Sequence, residues 1–182
     1  MPVRMIKVAV FYVFLFECLL LEGQSPYTEY QLKAAYIEKF THFIRWPNLP
    51  AGGENPRFRI TILGEDPFGR YIDELFRTVA VKAMPVEIRR IRKIEELDST
   101  HILFICRSEK DRLKRILERV RHRPILTIGD TPGYAEAGVI LNLFKKDNYI
   151  RFEANLTAIA DSGLEVNSRL LKLAKIVGTV EK

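Results

Sequence analysis

The sequence has few residues of the types that build metal centres and catalytic sites. Its 182 residues include only 2 cysteines and 3 histidines. The histidines, His42, His101 and His122, are far apart, and no cysteine or carboxylate cluster lies beside them. Because a zinc site needs several such ligands at suitable spacing, we predict no metal and no cofactor. We also find no nucleophile-elbow motif and no pair of catalytic carboxylates, so we predict that the protein is not an enzyme.

One apolar run stands out, at the N-terminus. Arg4 and Lys7 precede residues 8–21, which are nearly all apolar. This run is shorter than the roughly 20 residues that span a bilayer, and a basic region before it is typical of a signal peptide. We therefore predict a signal peptide over residues 1–24, a single domain over residues 25–182, and export. An uncleaved membrane anchor or a buried helix remains the alternative.

The low cysteine content also limits covalent cross-linking. Export would remove Cys18, which leaves Cys106 without a second cysteine for an internal disulfide. An exported domain of this size has a core of its own and does not require a disulfide. Because Cys106 ends a wholly apolar run, we predict that it is a buried, unpaired thiol.

The charge balance is basic, with a formal net charge of +6. The basic residues concentrate in segments 89–93 and 107–123. Such density suits nucleic acid or an anionic membrane surface, but export argues against nucleic acid as a partner. Glu109, Asp111 and Glu118 interleave with the basic residues and allow ion pairs along a helix. We interpret the segment as a solvated helix face, with a protein or membrane-surface contact as the alternative.

Hydrophobic periodicity predicts alternating helices and strands. The predicted helices cover residues 27–45 and 66–76, begin again at Ser108, and close the chain within residues 150–177. The predicted strands cover residues 58–63, 86–91, 102–106 and 125–128, followed by a hairpin of residues 139–144 and 149–153. Short uninterrupted apolar runs are typical of buried parallel strands. We predict an α/β fold, a three-layer sandwich with a mostly parallel sheet and an antiparallel hairpin at one edge.

Two loops follow predicted strands and form a candidate ligand crevice. The first contains Gly64, Asp66 and Gly69, and the second contains Asp130 and Thr131. Ligands of open α/β sheets usually bind at the carboxyl ends of the strands, where both loops are predicted to lie. The first loop lacks the Lys and Ser/Thr of a P-loop. Ordinary turn formation by Gly, Asp and Pro explains the same residues, so both interpretations stay open.

An ordered set of motifs resembles the YfiR-like family. In family order, the matching segments are Leu32–Ile37 with Phe40 and Trp46–Pro47, Ile62–Gly64 with Asp66–Gly69, His101–Ile105, Leu126–Asp130, Gly138–Ile140 and the closing run Ile150–Val177. The closing run contains Phe152, Asn155, Ser168, Arg169 and Leu170. Each motif alone is weak, but the set covers nearly the whole chain after the signal peptide.

This resemblance implies a non-catalytic regulator in the periplasm. Such proteins repress a membrane-bound diguanylate cyclase by binding its periplasmic sensor domain, and others act with histidine kinases. The implied partner is therefore the periplasmic domain of an inner-membrane diguanylate cyclase or histidine kinase. An outer-membrane lipoprotein and a second copy of the chain are further candidates. A small-ligand sensor module that acts with a histidine kinase is the alternative function.

A regulator of this kind needs an exposed apolar patch with a polar rim. We place this patch at the end of the hairpin and in the closing helices, with Arg151, Phe152, Leu164 and Leu170 as candidate partner-binding residues. Packing in the core is the alternative for these side chains, and for Phe152 and Leu170 it is the favoured interpretation.

Overall fold

The computed structural model describes residues 28–47, 49 and 56–179 of the chain. The predicted signal peptide and its cleavage region, residues 1–24, lie outside these ranges. Export therefore stays a prediction from the sequence.

Across the described ranges, ten strands form two sheets. In chain order they are β1 (Ile44–Arg45), β2 (Phe58–Leu63), β3 (Ala80–Val81), β4 (Met84–Ile91), β5 (Ile102–Ile105), β6 (Leu126–Gly129), β7 (Leu141–Lys146), β8 (Tyr149–Asn155), β9 (Glu165–Val166) and β10 (Lys175–Val177). The large sheet has the order β10-β8-β7-β6-β5-β2-β4-β3, and β1 pairs with β9 in a separate small sheet. Only the β3–β4 and β7–β8 pairs of the large sheet are antiparallel, so the predicted mostly parallel sheet is confirmed.

The predicted hairpin is formed by β7 and β8, but one more strand lies outside it. β10 pairs in parallel with β8, with Lys175 opposite Glu153 and Val177 opposite Asn155. The sequence pattern had assigned these residues to a closing helix. A segment this short has too little hydrophobic periodicity to distinguish a helix from a strand. Pairing with β8 makes it a strand.

The described residues form six α-helices, five of which lie between strands in the chain. They are α1 (Glu29–Phe43), α2 (Tyr71–Thr78), α3 (Leu113–Val120), α4 (Tyr134–Ala137), α5 (Leu156–Ser162) and α6 (Ser168–Leu171), with 3-10 turns at Ile94–Glu96 and Arg107–Arg112. α1 begins at a capping box in which the Thr28 hydroxyl accepts a hydrogen bond from the Gln31 amide at 3.3 Å. The Gln31 side chain accepts one from the Thr28 amide in return, so both exposed amides are satisfied.

Two predicted helix boundaries differ from the structure. The helix expected from Asp66 begins at Tyr71, because the Asp66 carboxylate accepts a hydrogen bond from the Phe68 amide at 2.7 Å and forms a local turn instead. The helix expected to reach Arg45 ends at Phe43, because Ile44 and Arg45 pair with Val166 and Glu165.

The core lies on both faces of the large sheet, which confirms the three-layer arrangement. In β5, Ile102 and Phe104 pack into one apolar cluster and Leu103 and Ile105 into the other, as the alternation of side chains along a strand requires. The first cluster includes apolar residues of α1, α2 and α6, and the second includes those of α3. The loops at the carboxyl ends of the strands therefore extend from a sheet that is packed on both faces.

Candidate functional site

The first crevice loop is held by an arginine that the sequence analysis did not connect to it. Asp66 Oδ2 lies 2.7 Å from Arg90 Nε, and Arg90 also donates to the Gly69 carbonyl at 3.0 Å and to the Asp73 carboxylate. Arg90 lies on β4, beside β2 in the sheet, so the parallel pairing brings it to the loop. The basic alternation along β4 was visible in the sequence, but its partners were not.

Gly64 has a steric role in the same loop. Its φ of +99° lies in the region that favours glycine, and a Cβ there would collide with Ser108 Oγ. Ser108 Oγ accepts a hydrogen bond from the Glu65 amide at 2.9 Å, which holds the loop after β2 against the loop after β5. The glycine therefore permits a close approach between two loops of the carboxyl edge.

Asp130, in the second crevice loop, forms a buried ion pair with α1. Lys33 Nζ lies 2.8 Å from Asp130 Oδ2, and the two side chains are 4% and 5% exposed. Lys33 also reaches Glu29 at 2.6 Å and lies 4.6 Å from the centre of the Tyr30 ring. Burial, followed by the charge of Asp130, raises the pKa of the Tyr30 hydroxyl well above its usual range, so Tyr30 stays neutral.

Thr131 joins the second loop to the strands beside it. The Asn142 side chain accepts from the Thr131 amide at 3.2 Å and donates to its carbonyl at 3.0 Å. The same amide group donates to Glu153 at 3.1 Å, and Glu153 accepts from Lys175 of β10 at 2.8 Å. Among the described residues, Thr131 Oγ1 is the buried side-chain oxygen that has no hydrogen bond.

The structure thus brings both crevice loops to one edge of the sheet, as the sequence predicted. Each loop carboxylate already has a basic partner from elsewhere in the fold, Arg90 for Asp66 and Lys33 for Asp130. A ligand at this edge would compete with these internal ion pairs. Ligand binding by the crevice stays a prediction.

The four candidate partner-binding residues divide into one exposed residue and three core residues. Arg151 is exposed on β8, whereas Phe152, Leu164 and Leu170 are buried in the first apolar cluster. The Phe152 ring lies 5.0 Å from the Phe40 ring, with the planes strongly inclined. For these three side chains the structure supports the packing interpretation, since a buried side chain cannot form an exposed patch in this conformation.

An exposed apolar edge lies close to the predicted position instead. β10 pairs with residues 153–155 of β8, and within the described chain no strand pairs with the outer edge of residues 149–152. Tyr149 at the start of β8, Leu173 before β10 and Ile176 within it are 67%, 71% and 42% exposed. We call this surface, with Arg151, the β8–β10 edge. Sequence pattern alone does not reveal this edge, because exposure of Leu173 and Ile176 depends on where β10 lies.

Cys106 is a free and buried thiol, 1% exposed. Burial, followed by the charges of Asp130 and Asp66, raises its pKa from 9.0 to about 12. The folded protein therefore disfavours the reactive thiolate. This contribution to stability is complete below about pH 9 and is lost as the pH rises towards about 12, because the unfolded chain ionises first.

We expect the native protein to react with a thiol reagent at pH 8 much more slowly than the same protein in denaturant. Replacing Cys106 by alanine should lower the free energy of unfolding by about 1 kcal/mol, because the lost sulfur leaves a small cavity. Labelling of the native protein at the rate of the unfolded protein would contradict a buried thiol.

The described residues contain no group of three or more His, Cys, Asp and Glu side chains that could hold a metal ion. None of the described helices is long and apolar enough to cross a bilayer.

Comparison with known proteins identifies the family. The fold is similar to an ABC domain from Streptococcus pneumoniae solved in complex with L-Trp (TM-score 0.54, 9% identity) and to a conserved domain protein from Vibrio cholerae (TM-score 0.51, 11% identity). They match 81% and 84% of this chain, which spans 60% of each of theirs. At these identities the likeness concerns the fold alone. No curated protein matches the sequence significantly.

The family profile described as YfiR/HmsC-like (DUF4154) matches residues 30–175. The match extends from α1 to the start of β10, so it includes both crevice loops and most of the β8–β10 edge. The family is one of periplasmic proteins that regulate diguanylate cyclase signalling. Because its profile covers most of the sequence, the chain belongs to the YfiR/HmsC-like family.

Proposed function

We propose that this protein is a non-catalytic periplasmic regulator that binds the extracytoplasmic sensor domain of a membrane-bound diguanylate cyclase and represses it. The observation that carries the proposal is the family match over residues 30–175, which supports the general class of regulator. The particular partner and the act of binding are the proposed steps.

The β8–β10 edge is the surface we propose for this partner. Within the described chain β10 is the last strand on this side of the large sheet, and an edge strand readily accepts another chain. Beside it on β8, the Ile150 carbonyl accepts a hydrogen bond from the Tyr36 hydroxyl at 2.8 Å. Exposed apolar side chains strengthen a contact at such an edge. Among the large apolar residues that are exposed in the described chain, Tyr149, Leu173 and Ile176 lie along this edge and Tyr71 lies on α2. Arg151 supplies a polar group at the rim, which keeps one member of the predicted partner-binding set.

Repression follows from a shift of population. If the protein binds the inactive conformation of the cyclase more tightly than the active one, binding lowers the active fraction without any chemical step. To change the cyclase population from mostly active to mostly inactive, the protein must bind the inactive conformation about 10⁴-fold more tightly than the active one.

Deleting the gene is expected to raise cyclic-di-GMP and biofilm formation. A Leu173→Glu and Ile176→Glu double variant should reproduce the deletion, because two carboxylates would lie in the apolar contact. The purified double variant should keep the circular dichroism and melting temperature of the natural protein, since both side chains are exposed. Its capture of the cyclase from detergent-solubilised membranes should be lost.

Tyr71→Glu is the control, because it adds one carboxylate at an exposed aromatic residue of α2, away from the proposed edge. It should leave repression and capture unchanged. Unchanged cyclic-di-GMP in the deletion strain would rule out the cyclase as the target. It would favour a sensor module that acts with a histidine kinase.

Export provides a separate prediction. We expect protein recovered from the periplasm to begin after about Leu21, because a basic region followed by an apolar run is a substrate for secretion and cleavage. Intact-mass measurement of the periplasmic fraction will identify the first residue. A full-length species confined to the cytoplasm would contradict both export and the proposed partner.

A further inference from the structure

A large groove runs along α3, and its floor lies at the amino ends of the parallel strands. Its volume is about 630 Å³, which is within the range of pockets for small molecules. One wall is α3, the other includes α5, and the floor contains Thr127 of β6, Ile140 just before β7, and Asn155 at the end of β8. Because β8 runs antiparallel to β7, its carboxyl end lies beside the amino ends of the parallel strands.

The interior of the groove is effectively apolar. Leu113, Leu117, Val120, Ile125 and Ile140 contribute aliphatic side chains to it. Its buried polar groups are already bonded within the protein. Thr127 Oγ1 accepts from the Ile140 amide at 2.9 Å, and the Asn155 side chain donates to the Ala135 carbonyl at 2.7 Å and accepts from the Ala158 amide at 2.8 Å. A bound molecule would therefore meet apolar surface on the floor.

The rim of the groove is cationic. Four lysine and arginine residues, Lys110, Lys114, Arg121 and Arg123, line it against two carboxylates, Glu118 and Asp161. Arg121 lies 3.5 Å from Asp161, which joins the two walls.

Two of the four rim cations remain available to a ligand. Of the other two, Arg121 pairs with Asp161, and Arg123 donates to the Asp98 carbonyl at 3.3 Å. Lys110, in the 3-10 turn before α3, and Lys114, in the first turn of α3, form no ion pair within the described part of the chain. An apolar floor with free positive charge at one end selects a molecule with an apolar body and a negatively charged head.

We propose that this groove binds a single-chain anionic amphiphile, such as a fatty acid, with its head at Lys110 and Lys114 and its chain along α3. The lining of the groove shares no residue with the carboxyl-edge crevice or with the β8–β10 edge. It does not depend on the proposed cyclase partner, because the isolated protein should bind the ligand.

Dodecanoate, used below its micelle concentration, is the probe for this site. Calorimetric titration of the purified protein should show saturable binding of one molecule. Dodecanol should bind roughly tenfold more weakly because it lacks the charge, and dodecyltrimethylammonium should not compete. Equal binding of the anionic and cationic amphiphiles would overturn the proposal.

Variants locate the bound molecule. Lys110→Gln with Lys114→Gln should weaken dodecanoate binding about five- to tenfold, since each lysine contributes a partly exposed charge contact. Lys145→Gln with Lys146→Gln, at two exposed lysines of the hairpin, is the matched control and should bind like the natural protein. Ala137→Trp should abolish binding, because Ala137 is exposed in the wall of the groove and the ring would fill it without entering the core. Unaltered binding by the tryptophan variant would overturn the proposed location.

Binding measurements on the same purified protein distinguish two other possible occupants of the groove, a membrane surface and a protein partner. Binding to vesicles of phosphatidylglycerol without binding to monomeric dodecanoate would overturn the small-ligand site in favour of a membrane surface. Binding of an acidic amphipathic peptide that the Ala137→Trp variant loses, with no binding of dodecanoate, would overturn it in favour of a protein partner. Saturable dodecanoate binding that responds to the lysine and tryptophan substitutions supports the proposal.

Discussion

Replacing Lys33 by methionine is expected to destabilise the domain by about 3–5 kcal/mol, because it leaves a buried carboxylate without its partner. The side chain of Asp130 is 5% exposed, and its carboxylate lies 2.8 Å from Lys33 Nζ. Methionine retains much of the apolar length of lysine, so the loss should come from the charge. Urea unfolding followed by circular dichroism will measure the change in the free energy of unfolding.

A double variant separates the missing partner from the lost packing. Lys33→Met with Asp130→Leu removes both charges and should recover most of the lost stability, because an apolar pair can replace a buried ion pair. Lys39→Met is the control on the same helix, where the lysine is 70% exposed and pairs with Glu38 at its surface. It should change the free energy of unfolding by less than about 1 kcal/mol. If Lys33→Met also lowered the free energy of unfolding by less than about 1 kcal/mol, this would contradict a buried ion pair between Lys33 and Asp130.

Replacing Leu164 by glutamate is expected to unfold the domain, with a cost of more than about 4 kcal/mol. Leu164 is 6% exposed and belongs to the apolar cluster that contains Phe152 and Leu170. A carboxylate there would have to be buried without a partner or force the segment after α5 away from the core. We expect loss of the thermal transition and of native circular dichroism at neutral pH.

Two variants make this result specific. Leu164→Ala keeps the site apolar and should cost about 2–4 kcal/mol through the cavity that it leaves. Leu173→Glu places the same charge on an exposed leucine nine positions later and should leave the melting temperature nearly unchanged. A folded Leu164→Glu protein that fails only in repression would contradict the burial and return Leu164 to the partner-binding set.

The local sequence was sufficient for most of the fold. The run Ile102–Ile105 alternates between the two cores, and its uninterrupted apolar character predicted a strand buried on both faces. Elements with fewer residues were harder to predict. β10 covers three residues, and β1 and β9 cover two each, so their sequences carry too little periodicity to separate strand from helix or loop.

The candidate sites depended more strongly on tertiary structure. Asp66 and Asp130 were predicted at the carboxyl edge because parallel strands present their carboxyl ends together. Their partners, Arg90 and Lys33, come from a neighbouring strand and from a distant helix. No local pattern pairs Lys33 with a residue 97 positions away. The groove along α3 likewise combines residues from α3 and α5 that are far apart in the chain.

The sequence by itself determined the class of fold, six of the eight strands of the large sheet and the family, because these depend on local periodicity and on ordered motifs. Only the tertiary structure decided which apolar residues are exposed. Leu164 and Leu173 are the same residue type, nine positions apart, yet the first is buried beneath the helices and the second lies at the open edge of the sheet. The difference arises because burial depends on which surfaces neighbouring elements cover, and β10 and α6 take their places only by pairing and packing with segments distant in the sequence.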